Sequence, residues 1–413
     1  MLSRNLSKQV FNLSKKILPN CTTRNLSVPA PLTSFTEEED ALRDQVSKIS
    51  RETIAPYIKQ METEGRIVEP VLNSLFENGL MGIEVPEEYG GCKGSFTKSV
   101  ITIEEVAKVD AAVSVLVDVH ATVVAKFFAS FASKEQQEEY LPKLATSWPG
   151  SFCLSEPSSG SDAFALKTTA TKVGNKYVLN GTKMWISNSD IAKVFIVMAN
   201  VDPEKGYKGI TSFIVRRDNP GLTVGKKENK LGIKASGTCM LHFDNCEVDE
   251  KDLLGEIGQA YKYSINLLNQ GRVGIGAQMI GIAQASLDAT IPYLFDRKQF
   301  NQTLFSFQGV QHQVSRLVTE VETARLLVYN AARKLDAQLP CIKEAAMAKY
   351  YAAETAGKVT SQCIDLMGGV GFTKDFPQEK YYRDAKVGTI YEGATNVLLN
   401  TIAKSIQKEY GSW

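Results

Sequence analysis

Lys176-Tyr177-Val178-Leu179-Asn180-Gly181-Thr182-Lys183-Met184-Trp185-Ile186 decides the fold class, because it reads as extended chain set between two helical regions. Asn180-Gly181, with Thr182 completing the connection, separates two short apolar runs. That dipeptide predicts a hairpin, since Asn and Gly tolerate the positive φ that tight turns need. Working outward, Val194–Met198, Thr211–Val215 and Met240–Phe243 read as further strands, with Pro203, Pro220 and Gly221 marking the turns. Residues 151–262 are therefore expected to form a β domain, an antiparallel barrel or sandwich.

Both flanks carry a helical period. Thr36-Glu37-Glu38-Glu39 looks like a capped start with acidic residues at the positive end of the dipole. Val71 to Leu80, Ser99 to Lys108 and Ala111 to Ser133 follow as helices, with a loop over Pro86–Gly91. Beyond the strands, Val314, Leu317, Val318, Val321, Ala324, Leu327, Val328, Ala331 and Leu335 step by three and four. Further helices are expected near 264–294, 342–367 and 396–406. The class is α+β: an N-terminal helical domain (34–150), the β domain, and a C-terminal four-helix bundle (263–413).

The balance of 47 basic and 46 acidic residues gives no field for a nucleic-acid binder. Seven cysteines without a CxxC pair and three scattered histidines (His120, His242, His312) predict no metal site and a reducing compartment. No apolar stretch is free of charge over a membrane thickness; Ala111–Phe131 comes nearest but holds Asp118, His120 and Lys126. Residues 1–33 lack Asp and Glu and mix Arg4, Lys8, Lys15, Lys16 and Arg24 with spaced leucines. That is the composition of a mitochondrial transit peptide, and it predicts the matrix as destination. No GxGxxG follows a strand, and Gly274-Ile275-Gly276 reads as close helix packing.

Three segments carry chemistry. Tyr391-Glu392-Gly393-Ala394-Thr395-Asn396 sets one carboxylate between an aromatic ring and a glycine, just before an apolar helix. Partial desolvation there raises the pKa and makes a better base. Alone the signal is weak, because most Glu-Gly pairs are surface turns. Phe152 to Asp162 runs a strand into a loop of small and hydroxyl residues, able to offer N–H and O–H donors to an anionic or heteroaromatic ligand. Trp185 is either plain core or the wall of a flat ring system.

The loop, Lys183-Met184-Trp185-Ile186-Ser187, Arg297-x-x-Phe300, Gly368-Gly369-Val370-Gly371-Phe372 and Tyr391-Glu392-Gly393 occur in the order seen in acyl-CoA dehydrogenases. The resemblance covers about residues 36 to 410, and within the family it is greatest to the short/branched-chain members. It implies FAD-dependent α,β-dehydrogenation of an acyl-CoA thioester. Glu392 would remove the α-proton while the β-hydride passes to the flavin. The thioester oxygen would be held by the Glu392 N–H and a ribityl hydroxyl. Some relatives carry the base just before the arginine matching Arg272, where this chain has Gly271.

Carried over residue by residue, the flavin contacts are Phe152, Cys153, Leu154, Ser155 and Ser161 on the loop, with Trp185, Ile186 and Ser187 on the strand. Arg297, Gln308, Asp365, Leu366, Met367, Gly368 and Gly369 would hold the pyrophosphate and adenine side, supplied by a neighbouring subunit. Ala394, Thr395 and Asn396 would cap the last helix and touch the cofactor. Substrate contacts would be Ser161, Tyr207, Tyr261, Asn269, Gln270, Gly271, Arg272, Gly393 and Lys404, with Glu156 structural. Electron-transferring flavoprotein and a homotetramer are the implied partners. Departures from the family pattern are Ser158-Ser159 for Gly-Ala, Asn301 for Gly, and Ala394-Thr395-Asn396 for Thr-Ser-Gln. Isobutyryl, 2-methylbutyryl and short straight chains all stay open as substrates.

Overall fold

A computed structural model of the chain describes residues 32–411, so residues 1–31 of the expected leader lie outside the description. Helix α1 (Glu37–Ile49) opens on a capping box. The Thr36 hydroxyl accepts from Glu39 N at 3.2 Å, and the Glu39 carboxylate accepts from Thr36 N at 3.0 Å. Helices α2 (Ile58–Glu64), α3 (Glu69–Glu77), α4 (Phe96–Ala107) and α5 (Ala111–Asp118) follow. A π-helical stretch, Val119–Ala125, joins α5 to α6 (Lys126–Phe131). The span 111–131 is thus one buried rod; among the described residues it alone is long and apolar enough to cross a membrane, and it is packed inside protein instead. Helix α7 (Lys134–Thr146) is not signalled by apolar periodicity but starts on a Ser133/Gln136 capping box.

The β region holds β1 (Gly150–Cys153), β2 (Thr169–Val173), β3 (Lys176–Ile186), β4 (Val194–Asn200), β5 (Ile210–Arg216), β6 (Leu222–Lys227), β7 (Cys239–Asp249) and β8 (Leu253–Leu254). They form one 8-stranded sheet in the order β6-β7-β3-β2-β4-β5-β8, with β1 added on β4. Two expectations need correction. The sheet is mixed, because β1 pairs parallel with β4 and β2 meets β4 parallel at Thr169–Asn200. The long crossover through residues 154–193 makes that parallel pairing possible.

The second correction is the hairpin. Strand β3 runs unbroken through Asn180-Gly181, and the turn is Gly174-Asn175, where Val173 pairs with Lys176. Asn180-Gly181 serves a different need. Opposite it β7 bulges, with Leu179 on Cys246 and Gly181 on Phe243. Asn180 Oδ1 accepts from Asn245 N at 2.8 Å, and Asn245 itself has φ +45°. A Cβ at residue 181 would lie 2.4 Å from Thr168 Oγ1, so only glycine fits.

The C-terminal region contains α8 (Ala260–Asp296), α9 (Gln308–Asp336), α10 (Ile342–Met367), the short α11 (Gln378–Ala385) and α12 (Thr395–Tyr410). Val273, Ile280 and Ile282 of α8 share one core with Val100, Ile103 and Val106 of α4 and with Leu317 and Val328 of α9. Helix α8 is therefore buried on most of its circumference, and its glycines let neighbours approach. A Cβ at Gly274 would lie 1.9 Å from Asp118 Oδ1, which accounts for the small residue there without any nucleotide role.

Candidate active site

Glu392 lies in the link before α12. Its φ is +48° and that of Gly393 is +95°, so two successive left-handed residues turn the chain. A non-glycine residue held there stores strain, on the order of 1–3 kcal/mol, and its surroundings must hold it. On one side the Tyr391 hydroxyl donates to Gln278 Oε1, and Gln278 Nε2 donates to Ala111 O at 2.7 Å. On the other the Lys349 ammonium donates to Gly393 O at 2.7 Å.

The Glu392 residue is half-buried, but its carboxylate Oε2 is sealed from solvent and has no hydrogen-bond partner among the described residues. It faces the notch at Gly271, where a Cβ would come within 3.0 Å. Burial raises its pKa, and Arg272 and Lys349 offset only part of that rise. Arg272 donates from Nη1 to Asn269 Oδ1 at 3.1 Å, while its Nε is sealed and unpartnered. Gln270 Oε1 is a third orphan on the same turn. Asp118 approaches from α5, with Oδ1 accepting from Thr122 Oγ1 at 2.9 Å and Oδ2 unpartnered. Burial, reinforced by Glu392, pushes its carboxyl well above the ordinary range, which disfavours a second charge beside the base. Unpaired buried polar atoms are rare, and four of them, one on Glu392 itself and the others on Arg272, Gln270 and Asp118, mark a place where a ligand completes the bonding.

Because Gly274 admits Asp118, Gly274→Ala is expected to force α5 and α8 apart. The expected cost is about 1–3 kcal/mol, read as a lower melting temperature.

The second part of the site is the edge of β3. A bulge between Lys183 and Ile186 gives Trp185 a φ of +63° and leaves the residue 55% exposed while Ile186 is buried. The adjoining loop is tied to this edge by Met184 N, which donates to Ser155 O at 2.9 Å. Beneath it Lys183, fully buried, donates to Leu154 O at 3.1 Å and Glu156 Oε1 at 2.8 Å. The Glu156 carboxylate also accepts from Lys167 N at 2.6 Å and Thr168 N at 3.0 Å. Burial alone would raise its pKa, but Lys183 and these donors hold it below the usual range. A large half-open indole beside a loop of small residues fits the flat ring of a flavin. Cys153 and Leu154 point into the core, so they offer a ligand only backbone.

Tyr207 and Tyr261 come together, ring centroids 5.0 Å apart, with Phe164 at 6.5 Å from Tyr261. Ser161 is exposed on the loop, and Lys404 is exposed two turns along α12, apart from the Glu392 cluster. The expected cap of α12 is absent: its N-cap is Ala394, which has no acceptor, and Thr395 and Asn396 already lie inside the helix. Arg297 caps the end of α8, Gln308 opens α9, and Asp365 to Gly369 end α10 and begin the turn after it. Phe300-Asn301, both at positive φ, form the tight turn after Arg297 there. Arg272 and Arg297 are separated by about 37 Å of α8 at 1.5 Å per residue. One chain therefore does not bring that group to its own Glu392.

Sequence reasoning missed Lys349, and it quoted Lys183 within a motif without giving it a role. Both carry a signal. Lys349 falls on the buried Ala345-Ala348-Ala352 stripe of α10, and Lys183 falls in phase with the inward Tyr177 and Leu179 of β3. Among the described residues no group of His, Cys, Asp and Glu is arranged to hold a metal.

Comparison with known proteins gives the same answer along the chain. Family models for the N-terminal, middle and C-terminal domains of acyl-CoA dehydrogenase match residues 36–147, 151–246 and 259–407. The short/branched chain specific acyl-CoA dehydrogenase of Rattus norvegicus is 55% identical over 94% of this chain and 90% of its own length. The probable counterpart of Dictyostelium discoideum is 51% identical over 94% of both. The structure of butyryl-CoA dehydrogenase from Megasphaera elsdenii superposes with a TM-score of 0.88 at 33% identity, covering 90% of this chain and 99% of that one. The proteins of this family are FAD-dependent oxidoreductases acting on a CH–CH bond, and the Trp185 edge fits that cofactor. This chain belongs to the acyl-CoA dehydrogenase family.

Proposed function

We propose that the chain dehydrogenates short or branched acyl-CoA thioesters, 2-methylbutyryl-CoA among them, to the 2-enoyl-CoA, with Glu392 as the base. The observation that carries this reading is the sealed, unpartnered Oε2 of Glu392, whose carboxylate feels the charges of Arg272 and Lys349. A raised pKa suits a group that must accept a proton from carbon. The Glu392 N–H donates to no backbone acceptor among the described residues, so it is free to hold the thioester oxygen as charge develops. The Arg272 fork suits CoA phosphate. Gly271 leaves space at the carboxylate that a side chain would fill. Bound FAD supplies the hydride acceptor, and the Trp185 edge and Ser155–Ser161 loop hold its ring.

The substrate class rests on the short/branched-chain relatives. Electron-transferring flavoprotein as oxidant and a homotetramer, in which a neighbour brings Arg297, Gln308 and Asp365 to Gly369, belong to the same reading. So do the mitochondrial matrix and branched-chain amino acid and fatty acid catabolism. The name of the rat relative and the acid-free, basic leader composition support the compartment.

The test is anaerobic addition of a panel of straight and branched CoA esters to holoenzyme. Short branched esters are expected to bleach the flavin fastest, and bleaching by none of them would contradict the proposal. Rapid reoxidation by oxygen, with no gain from electron-transferring flavoprotein, would contradict the assigned electron acceptor. Because the carboxylate must be ionised to act, the rate of flavin reduction is expected to rise with pH. Its acid limb should lie above the ordinary glutamate range near ~4.3. A limb at or below that range would show that burial does not control the base.

A further inference from the structure

Lys349 lies in the middle of α10 with no exposed surface, in a helix face otherwise built of alanine. Its ammonium has three protons to donate. Among the described residues it reaches one acceptor, Gly393 O at 2.7 Å, immediately after Glu392. A buried, under-bonded ammonium is expensive, and packing alone would be served by another apolar side chain. What distinguishes the position is the pair of left-handed residues it clamps, Glu392 at +48° and Gly393 at +95°.

We propose that Lys349 is the positioning residue of the catalytic turn: it clamps the Gly393 carbonyl to keep Glu392 in its left-handed conformation, and it supplies the positive charge that keeps the carboxylate ionised until the α-proton arrives. This rests on Glu392 being the base. The groups facing Glu392 are Arg272 from α8, Lys349 from α10, Asp118 from α5 and the adjoining Tyr391. Burial disfavours charge on Asp118 and holds Tyr391 in its phenol form, so Arg272 and Lys349 are the groups that favour the ionised carboxylate. Burial brings Lys349 down to about 8, against the pull of Glu392. The same lysine is thus sensitive to the charge on the base: once Glu392 is protonated, its main counter-charge is gone.

Three variants separate clamp from charge. Lys349→Arg keeps the charge, Lys349→Gln keeps a donor without charge, and Lys349→Met keeps neither. Each is read as holoenzyme by anaerobic flavin reduction across pH, alongside the Kd of the enoyl-CoA product. The Met variant is expected to reduce flavin about 100-fold more slowly at neutral pH, the size of effect that misplacing a reacting group produces. In both neutral variants the acid limb moves to higher pH; in Lys349→Arg it stays in place. Lys349→Gln recovers more of the high-pH rate than Lys349→Met, and product Kd is unchanged throughout. A Met variant with the wild-type limb and rate overturns the proposal. So does failure of both neutral variants to take up flavin, which would mark the lysine as a folding element. If Glu392→Gln reduced flavin normally, the base assignment itself would fail, whatever the lysine variants show.

Discussion

Glu392→Gln is expected to bind FAD and acyl-CoA and to reduce flavin about 10³-fold more slowly than the wild type. The carboxamide has the volume of the carboxylate, so the notch at Gly271 and the left-handed turn survive. It has no lone pair basic enough to take a proton from carbon. Among the described residues neither nearby carboxylate is suited to replace it, because burial disfavours the ionised form of Asp118 and Glu156 is engaged by Lys183, Lys167 N and Thr168. Removing the charge also leaves Arg272 and Lys349 without their shared counter-ion, so the Lys349 pKa is expected to fall further below its value of about 8. Rapid-mixing absorbance under anaerobic conditions reads the rate, and substrate Kd reads the binding. A loss confined to KM would show that the side chain only binds.

The largest expected effect on stability is that of Lys183→Met. Lys183 and Glu156 are 0% and 4% exposed and 2.8 Å apart. Breaking a buried pair by removing one partner typically costs about 3–5 kcal/mol, because the other charge remains without compensation. Here the pair also ties the Leu154 carbonyl to the strand that carries Trp185, so the loop and the indole edge loosen together. The variant should therefore melt lower and lose FAD on dilution. The double variant Lys183→Met with Glu156→Gln should recover part of the loss, since no ion is left unpaired; equal losses in the single and double variants would contradict this account. The pH dependence follows from the depressed Glu156 pKa. A carboxylate depressed on folding contributes stability that is fully present above its unfolded pKa near ~4.3. That stability disappears as pH falls through the lower folded value. Flavin release on acidification should follow the same window.

The sequence carried the layer order because helical and extended periodicities leave different marks. The capping box at Thr36 and Glu39, the apolar stripe of α9 and the bounds of α10 were all legible. What misled was Asn180-Gly181, since the residues that make tight turns also serve bulges and close backbone contacts. Only the pairing of β3 with β7 tells these uses apart. The site was half legible for a related reason. Glu392, Gly271 and Arg272 lie in motifs, but Lys349 and Lys183 act from inside an apolar stripe and an inward strand face. There the pattern predicts core, and a lysine stands out only when the stripe is drawn residue by residue. The separation of Arg297 and Asp365 from Glu392 is likewise invisible in spacing. It follows from the length of α8, which carries Arg272, beside Glu392, about seven turns before Arg297 at its C-terminal end.

The most direct test of the central claim is α-proton exchange, measured with a 3-thia-acyl-CoA bound to the holoenzyme in D2O, since this analogue has no β-hydride to give. Wild-type protein is predicted to incorporate deuterium at the α-carbon, and Glu392→Gln to bind the analogue without exchange. Undiminished exchange in Glu392→Gln would contradict the account.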